Sequence, residues 1–170
     1  MEITIEITNK CNENCSYCST NAGPGGKPLP VKQIMTFLEA FEHTKITRIN
    51  ISGGEPLSHP QFYKILMVCY NITENVWIYS NLIRNLIYNT DVIKEVHIHA
   101  NVCLVPGKSV YIPKGAQQVH LLQLVPQGRA KGMKPQNIKV SGNMGDKCPC
   151  NHKYLQSDGR VVDAPCKKQY

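Results

Sequence analysis

The chain has 170 residues, 42% of them hydrophobic, and 19 Lys and Arg against 12 Asp and Glu give a formal charge of +7. No run reaches the about 18 apolar residues of a membrane span, and MEITIEITNK lacks the basic-then-apolar order of a signal peptide, so a compact cytoplasmic protein with one core and an appendage is expected. The charge admits acidic peptides, phosphorylated ligands or nucleic acid as partners, but no interleaving of aromatic and basic residues marks an RNA-binding face, and thiolate-bound metal would lower it.

Residues 2–7 alternate as Glu-Ile-Thr-Ile-Glu-Ile and predict a first strand. It leads directly into CNENCSYC, where Cys11, Cys15 and Cys18 form a C-x3-C-x2-C triad. Three thiolates suit an iron–sulfur cube that keeps one iron without a protein ligand; a zinc knuckle short of one ligand and a disulfide-bonded loop are the alternatives. Ala22 to Pro30 is a loop rich in Gly and Pro. A helix follows near Pro30, with Val31, Ile34, Leu38 and Phe41 on one face. The strand at 46–51 ends on Ser52-Gly53-Gly54-Glu55-Pro56, where glycines let the backbone approach a ligand closely and leave carbonyls free to accept hydrogen bonds.

Pro60 opens a second helix, with Phe62, Ile65, Leu66 and Cys69 facing inward, and a strand at 75–80 runs into Ser80-Asn81. A short helix at about 82–89, a strand at 95–102, a turn-rich segment at 102–117 and a strand at 118–125 complete the series. His97, His99 and Asn101 alternate on one strand face, with His120 on a neighbouring strand; they read as satisfied polar positions rather than a site. The β-α-β-α order implies a parallel sheet, whose sites lie beyond the carboxyl ends of the strands. The triad, the Gly-Gly-Glu-Pro turn and Ser80-Asn81 all fall there. Eight cysteines in a chain of this size, grouped mainly toward the two ends, point to metal binding in a reducing compartment; a disulfide-rich hyperthermophile protein is the alternative.

The triad, with Tyr17 just before its last cysteine and Gly-Gly-Glu-Pro about 35 residues on, resembles the radical S-adenosylmethionine (radical SAM) superfamily. The resemblance implies that Cys11, Cys15 and Cys18 hold a [4Fe–4S] cluster whose open iron chelates the methionine moiety of S-adenosylmethionine. It places Tyr17 against the adenine and gives Gly53, Gly54, Glu55 and Pro56 the methionine ammonium. One electron, from a flavodoxin- or ferredoxin-type donor, then cleaves the sulfonium to a 5′-deoxyadenosyl radical that abstracts a substrate hydrogen. Ser80-Asn81 resembles the family's Thr-Asn-Gly, with Leu82 in place of the glycine, and is expected to touch cofactor or substrate.

The expected fold is α/β, a pared-down partial (β/α)6-type barrel over residues 1–130, with a cysteine-containing extension over 131–170 that, like a partner, is a candidate to close the barrel's open side. Pro126-Gln-Gly-Arg-Ala130 is similar to a segment near the last barrel strand of members with auxiliary clusters, and assigns Arg129 an anionic group of cofactor or substrate. The tail, with Cys148, Cys150 and Cys166, resembles a shortened SPASM or twitch hairpin turning at Asp158-Gly159. Three cysteines admit at most one auxiliary cluster, with a vacant iron or a fourth ligand from His152, Cys103 or Cys69. Zinc bound by Cys148, Cys150, Cys166 and His152 is the alternative, and Cys69 and Cys103 read better as buried apolar residues. The expected activity is peptide maturation by a radical SAM oxidoreductase. The alternatives are modification of a nucleoside, nucleotide or tRNA, and a non-catalytic iron–sulfur or zinc module, which leaves Gly-Gly-Glu-Pro unexplained.

Overall fold

The structure is a computed structural model that describes residues 1–81, 97–104, 118–123, 128–134 and 152–163. Seven strands form one sheet: β1 (Glu2–Glu6), β2 (Arg48–Ser52), β3 (Val76–Tyr79), β4 (His97–Leu104), β5 (Gln118–Gln123), β6 (His152–Leu155) and β7 (Val161–Asp163). Their order is β5-β4-β3-β2-β1-β6-β7, and every pair is parallel except β6 with β7. Two helices, α1 (Val31–Glu39) and α2 (Phe62–Ile72), fill the crossovers from β1 to β2 and from β2 to β3. Among the described residues no helix is long and apolar enough to cross a membrane.

Side-chain alternation gives the β1–β3 part of the sheet two unlike faces. Register sets Ile3 beside Ile49 and Val76, and Ile5 beside Ile51 and Ile78. These five isoleucines and one valine are buried with Ile34, Phe37 and Leu38 of α1 and Phe62, Ile65, Leu66 and Cys69 of α2. Burial, rather than capping, holds the helices: neither has a side-chain hydrogen bond at its N-cap. The inward faces match those read from the 3.6-residue period, with Phe37 an additional core residue on α1.

The opposite face is polar, with Glu2, Thr4 and Glu6 on β1 and Arg48 and Asn50 on β2. Arg48 pairs with Glu2 and lies 4.2 Å over the Trp77 ring. Asn50 donates from Nδ2 to Thr4 Oγ1 at 3.1 Å. In the register of β4, His97 and His99 stand level with Trp77 and Tyr79, and Asn101 level with His120 on β5. The expected helix at 82–89 and most of the turn-rich 102–117 segment lie outside the described residues, although β4 extends that strand to Leu104.

The C-terminal hairpin is the part of the fold that periodicity did not place. β6 adds to the free edge of β1 in parallel, matching Glu2 to His152 and Ile5 to Leu155. Asp158-Gly159 forms the tight turn, with Gly159 at φ 86° and Gln156 N–H bonded to Arg160 O at 2.8 Å. The Arg160 backbone N–H, seconded by its side chain, holds the Asp158 carboxyl below the usual carboxylate range. A buried carboxylate fastens this hairpin to β1. Glu6 accepts from Tyr154 O–H at 2.6 Å and from the Ser157 N–H at 3.1 Å. Both bonds reach across more than 140 residues of sequence, which is why no local pattern announces them.

Two stability effects follow. Ile51→Ala, in the middle of the apolar face, should cost about 3 kcal/mol, read as a lower denaturation midpoint with little change in slope. Tyr154→Phe removes one charge-assisted bond and should cost about 1–2 kcal/mol, a fall in Tm of roughly 2–8 °C for a chain of this size. An unchanged Tm, with unchanged hydrogen exchange over Lys153–Leu155, would show that Glu6 does not fasten the hairpin.

Candidate active site

The carboxyl ends of β1, β2 and β3 lie side by side, because Ile5, Ile51 and Ile78 are in register. The three segments leaving those ends therefore meet. After β1 the chain is held by Ile7 N–H to Ser52 O at 3.0 Å and by Leu29 N–H to Ile7 O at 2.8 Å. Thr8 is fully buried; its Oγ1 donates to Lys27 O and accepts from Lys10 N–H. Cys11 N–H reaches Gly23 O at 2.9 Å, so the Gly- and Pro-rich segment forms the return wall of the cysteine loop.

Ser52-Gly53-Gly54-Glu55-Pro56 lies against that loop, backbone on backbone. Gly54 N–H donates to Thr8 O at 2.7 Å and Glu55 N–H to Lys10 O at 2.9 Å. A Cβ on Gly53, which also has φ 143°, would collide with Thr8 O, and one on Gly54 with Lys10 O. Glycine is required at both positions by the closeness of the two strands of backbone. Among the described residues no donor reaches the carbonyls of Gly53 and Gly54.

Glu55 is only 5% exposed. Its Oε1 accepts from Leu57 N–H at 3.1 Å and Ser80 O–H at 2.8 Å, and its Oε2 accepts from Asn81 N–H at 2.9 Å. Burial pushes its carboxyl up, against the lowering effect of those donors. The carboxylate thus ties the end of β2 to the end of β3, and Pro56 opens the 3-10 turn Pro56–Ser58 that it caps. Asn81 continues the connection. Its Nδ2 donates to Asn12 Oδ1 at 3.2 Å and lies 3.8 Å from Cys11 Sγ.

Arg129, in the 3-10 turn Gly128–Ala130, straps the loop from outside. Its N–H donates to Cys18 O at 3.0 Å, Nε to Cys15 O at 2.8 Å and Nη2 to Ala22 O at 2.5 Å. Gly128, at φ 54°, lies so close that a Cβ would collide with Cys18 O and Ser19 O. The resemblance gives Arg129 an anionic group of cofactor or substrate, and its bonds within the chain are to the carbonyls of Cys15, Cys18 and Ala22. Tyr17 is half-buried within the same loop.

Cys11, Cys15 and Cys18 share this loop, with Cys11 buried and the other two half-buried. Among the described residues no three His, Cys, Asp or Glu side chains are already gathered to grip a metal ion. The donor chemistry nevertheless fits a thiolate-held cluster. Cys11 Sγ receives Glu13 N–H at 3.4 Å as well as the Asn81 amide, and N–H donors aimed at sulfur suit a ligating thiolate. In the absence of a metal, burial raises the Cys11 thiol, the Glu13 N–H lowers it, and the charges of Glu55, Cys15 and Cys18 raise it further. Cys69 is a different kind of residue: fully buried in α2, its thiol is pushed up to about 12 by desolvation. Cys103 lies on β4 and His152 opens β6, while Cys148, Cys150 and Cys166 lie outside the described residues.

A sequence profile described as the Radical SAM superfamily matches residues 5–106. The chain is similar to GTP 3′,8-cyclase of Hydrogenovibrio crunogenus, 28% identical over 145 residues, which cover 78% of this chain and 43% of that protein. It is similar to human molybdenum cofactor biosynthesis protein 1, 34% identical over 68 residues (38% of this chain, 11% of that protein). Mycofactocin maturase MftC of Mycobacterium ulcerans is 31% identical over 67 residues (38% of this chain, 18% of that protein). The chain spans less than half the length of these relatives. Among solved structures, Streptococcus suis SuiB bound to precursor peptide SuiA aligns at a TM-score of 0.49 and 20% identity, over 61% of this chain and 24% of that one. The matched profile runs from Ile5 past the end of β4 and takes in every residue of the junction except Gly128 and Arg129: the chain belongs to the radical SAM superfamily.

Proposed function

We propose that this chain reductively cleaves S-adenosylmethionine and uses the resulting radical to abstract hydrogen from a peptide under maturation, as an oxidoreductase. The observation that carries the reading is the Glu55 junction. One buried carboxylate, with the backbone contacts beside it, joins the cysteine loop, the Gly-Gly turn and Asn81 at the ends of three parallel strands.

Members of this superfamily use a [4Fe–4S] cluster and S-adenosylmethionine. Here Cys11, Cys15 and Cys18 would hold the cluster. When bound, the pair supplies one-electron cleavage of the sulfonium to a 5′-deoxyadenosyl radical. The chain's own part is positioning. The Gly53 and Gly54 carbonyls, which have no donor among the described residues, are available to an ammonium group. Tyr17 offers a ring to the adenine, and Ser80 and Asn81 line the end of β3. Arg129 holds the loop in shape by donating to three carbonyls, one from its backbone N–H and two from its guanidinium. An electron donor of flavodoxin or ferredoxin type is the partner such chemistry needs.

A peptide substrate is supported by the match to mycofactocin maturase MftC, and the C-terminal hairpin resembles a shortened SPASM or twitch segment. Its two open ends lead to Cys150, two residues before β6, and to Cys166, three residues after β7, and Lys153 pairs with Asp163 between them. An auxiliary Fe–S cluster or zinc is proposed there, with Cys148 as a further ligand. A nucleotide substrate is the second reading, supported by the 145-residue match to a GTP 3′,8-cyclase.

Anaerobically reconstituted protein with dithionite should convert S-adenosylmethionine to 5′-deoxyadenosine and methionine. Cys11→Ala should abolish that product. No product from a protein shown to carry its cluster would end the enzymatic reading. For the tail, changing Cys148, Cys150 and Cys166 together to Ala should lower the iron count while leaving the S-adenosylmethionine-dependent signal. Unchanged iron with loss of zinc would replace the auxiliary cluster by a zinc site, and loss of neither would leave the tail without metal.

A further inference from the structure

Asn81 stands between two parts of the site that the family motifs name separately. Its backbone N–H is held by Glu55 Oε2 at 2.9 Å, and its side-chain amide reaches Asn12 Oδ1 at 3.2 Å and Cys11 Sγ at 3.8 Å. The amide's orientation follows from the network. Asn12 gives its own Nδ2 to Glu13 Oε1 at 3.3 Å, which turns Asn12 Oδ1 toward Asn81. Only the NH2 end of Asn81 matches that acceptor, so the same group presents its second hydrogen to sulfur. Asn81 is half-buried beside buried Cys11, where a hydrogen bond is less diluted by water than on an open surface.

We infer that Asn81 is a positioning residue that sets the reduction potential of the metal centre on Cys11, through its N–H···S hydrogen bond. The inference rests on the proposed cluster. A donor to a ligating sulfur withdraws electron density from it and stabilises the reduced, more negative cluster, so it raises the potential. The residue's hold is indirect at its other end. Glu55 fixes the backbone of Asn81, and Asn81 fixes the amide against Cys11; the carboxylate beside the Gly-Gly turn is thereby linked to a cluster ligand by two hydrogen bonds.

The test is an EPR-monitored redox titration of the reconstituted full chain without S-adenosylmethionine, comparing the parent with Asn81→Ala and Asn81→Asp. Asn81→Ala removes the donor without adding charge, and Asn81→Asp keeps the shape and the backbone bond to Glu55. Both variants should bind as much cluster iron as the parent. Both should also be harder to reduce, by at least about tenfold in the reduction equilibrium, or about 59 mV for one electron. A parent potential retained in Asn81→Ala at full cluster content overturns the inference and leaves the cluster reading intact. If Asn81→Ala does not fold, a parent potential in Asn81→Asp overturns it. A parent protein that assembles no cluster under conditions that load other such proteins overturns the inference and the proposed function together.

Discussion

At the carboxyl ends of the central strands, two stretches of backbone lie in direct contact: Thr8 to Lys10 entering the cysteine loop, and Gly53 to Glu55 leaving β2. Among the described residues, the cysteine loop, the Gly-Gly turn and the end of β3 are arranged around that contact. It forbids side chains on Gly53 and Gly54, consumes the N–H groups of Gly54 and Glu55, and turns the Glu55 carboxylate inward to the end of β3. An ionisable group so placed is costly unless its oxygens are filled. Leu57, Ser80 and Asn81 fill them. The site is therefore a single hydrogen-bonded unit drawn from three strand ends.

The rigidity of that unit comes from below. The apolar face, with Ile3, Ile5, Ile49, Ile51, Val76 and Ile78 in register, fixes the heights of the three strands relative to one another. A slip of one residue in any pairing would exchange the apolar face for the polar one. Thr4, Asn50 and the Arg48–Glu2 pair would then press against α1 and α2. The helices enforce the alignment of the strand ends by burying isoleucine, far from the thiols they help to position.

Much of this was legible in the sequence. The 3.6-residue period gave the inward faces of both helices, since Ile34, Leu38, Phe62, Ile65, Leu66 and Cys69 are buried as their spacing requires. The alternation of residues 2–7 and 46–51, with breakers after each, located the strand ends and hence the meeting point of triad and turn. The long-range ties are not legible in the sequence, because their partners are far apart and no periodicity links them. Glu6 with Tyr154 and Ser157, β6 along β1, and Arg129 with Cys15 and Ala22 all join residues more than 100 positions apart. Asn12 is illegible for the opposite reason. It stands inside the triad, where cysteines dominate the reading, and its role depends on how one amide faces another.

The pairing of β6 with β1 bears on how the chain is made. Glu2 is matched with His152, 150 residues later (152 − 2). During synthesis at about 5–20 residues per second, one edge of the first strand would stay uncovered for roughly 8 to 30 s. Such an edge is a template for pairing with another chain. Until the hairpin emerges and docks, that edge keeps its backbone N–H and C=O groups open to another chain.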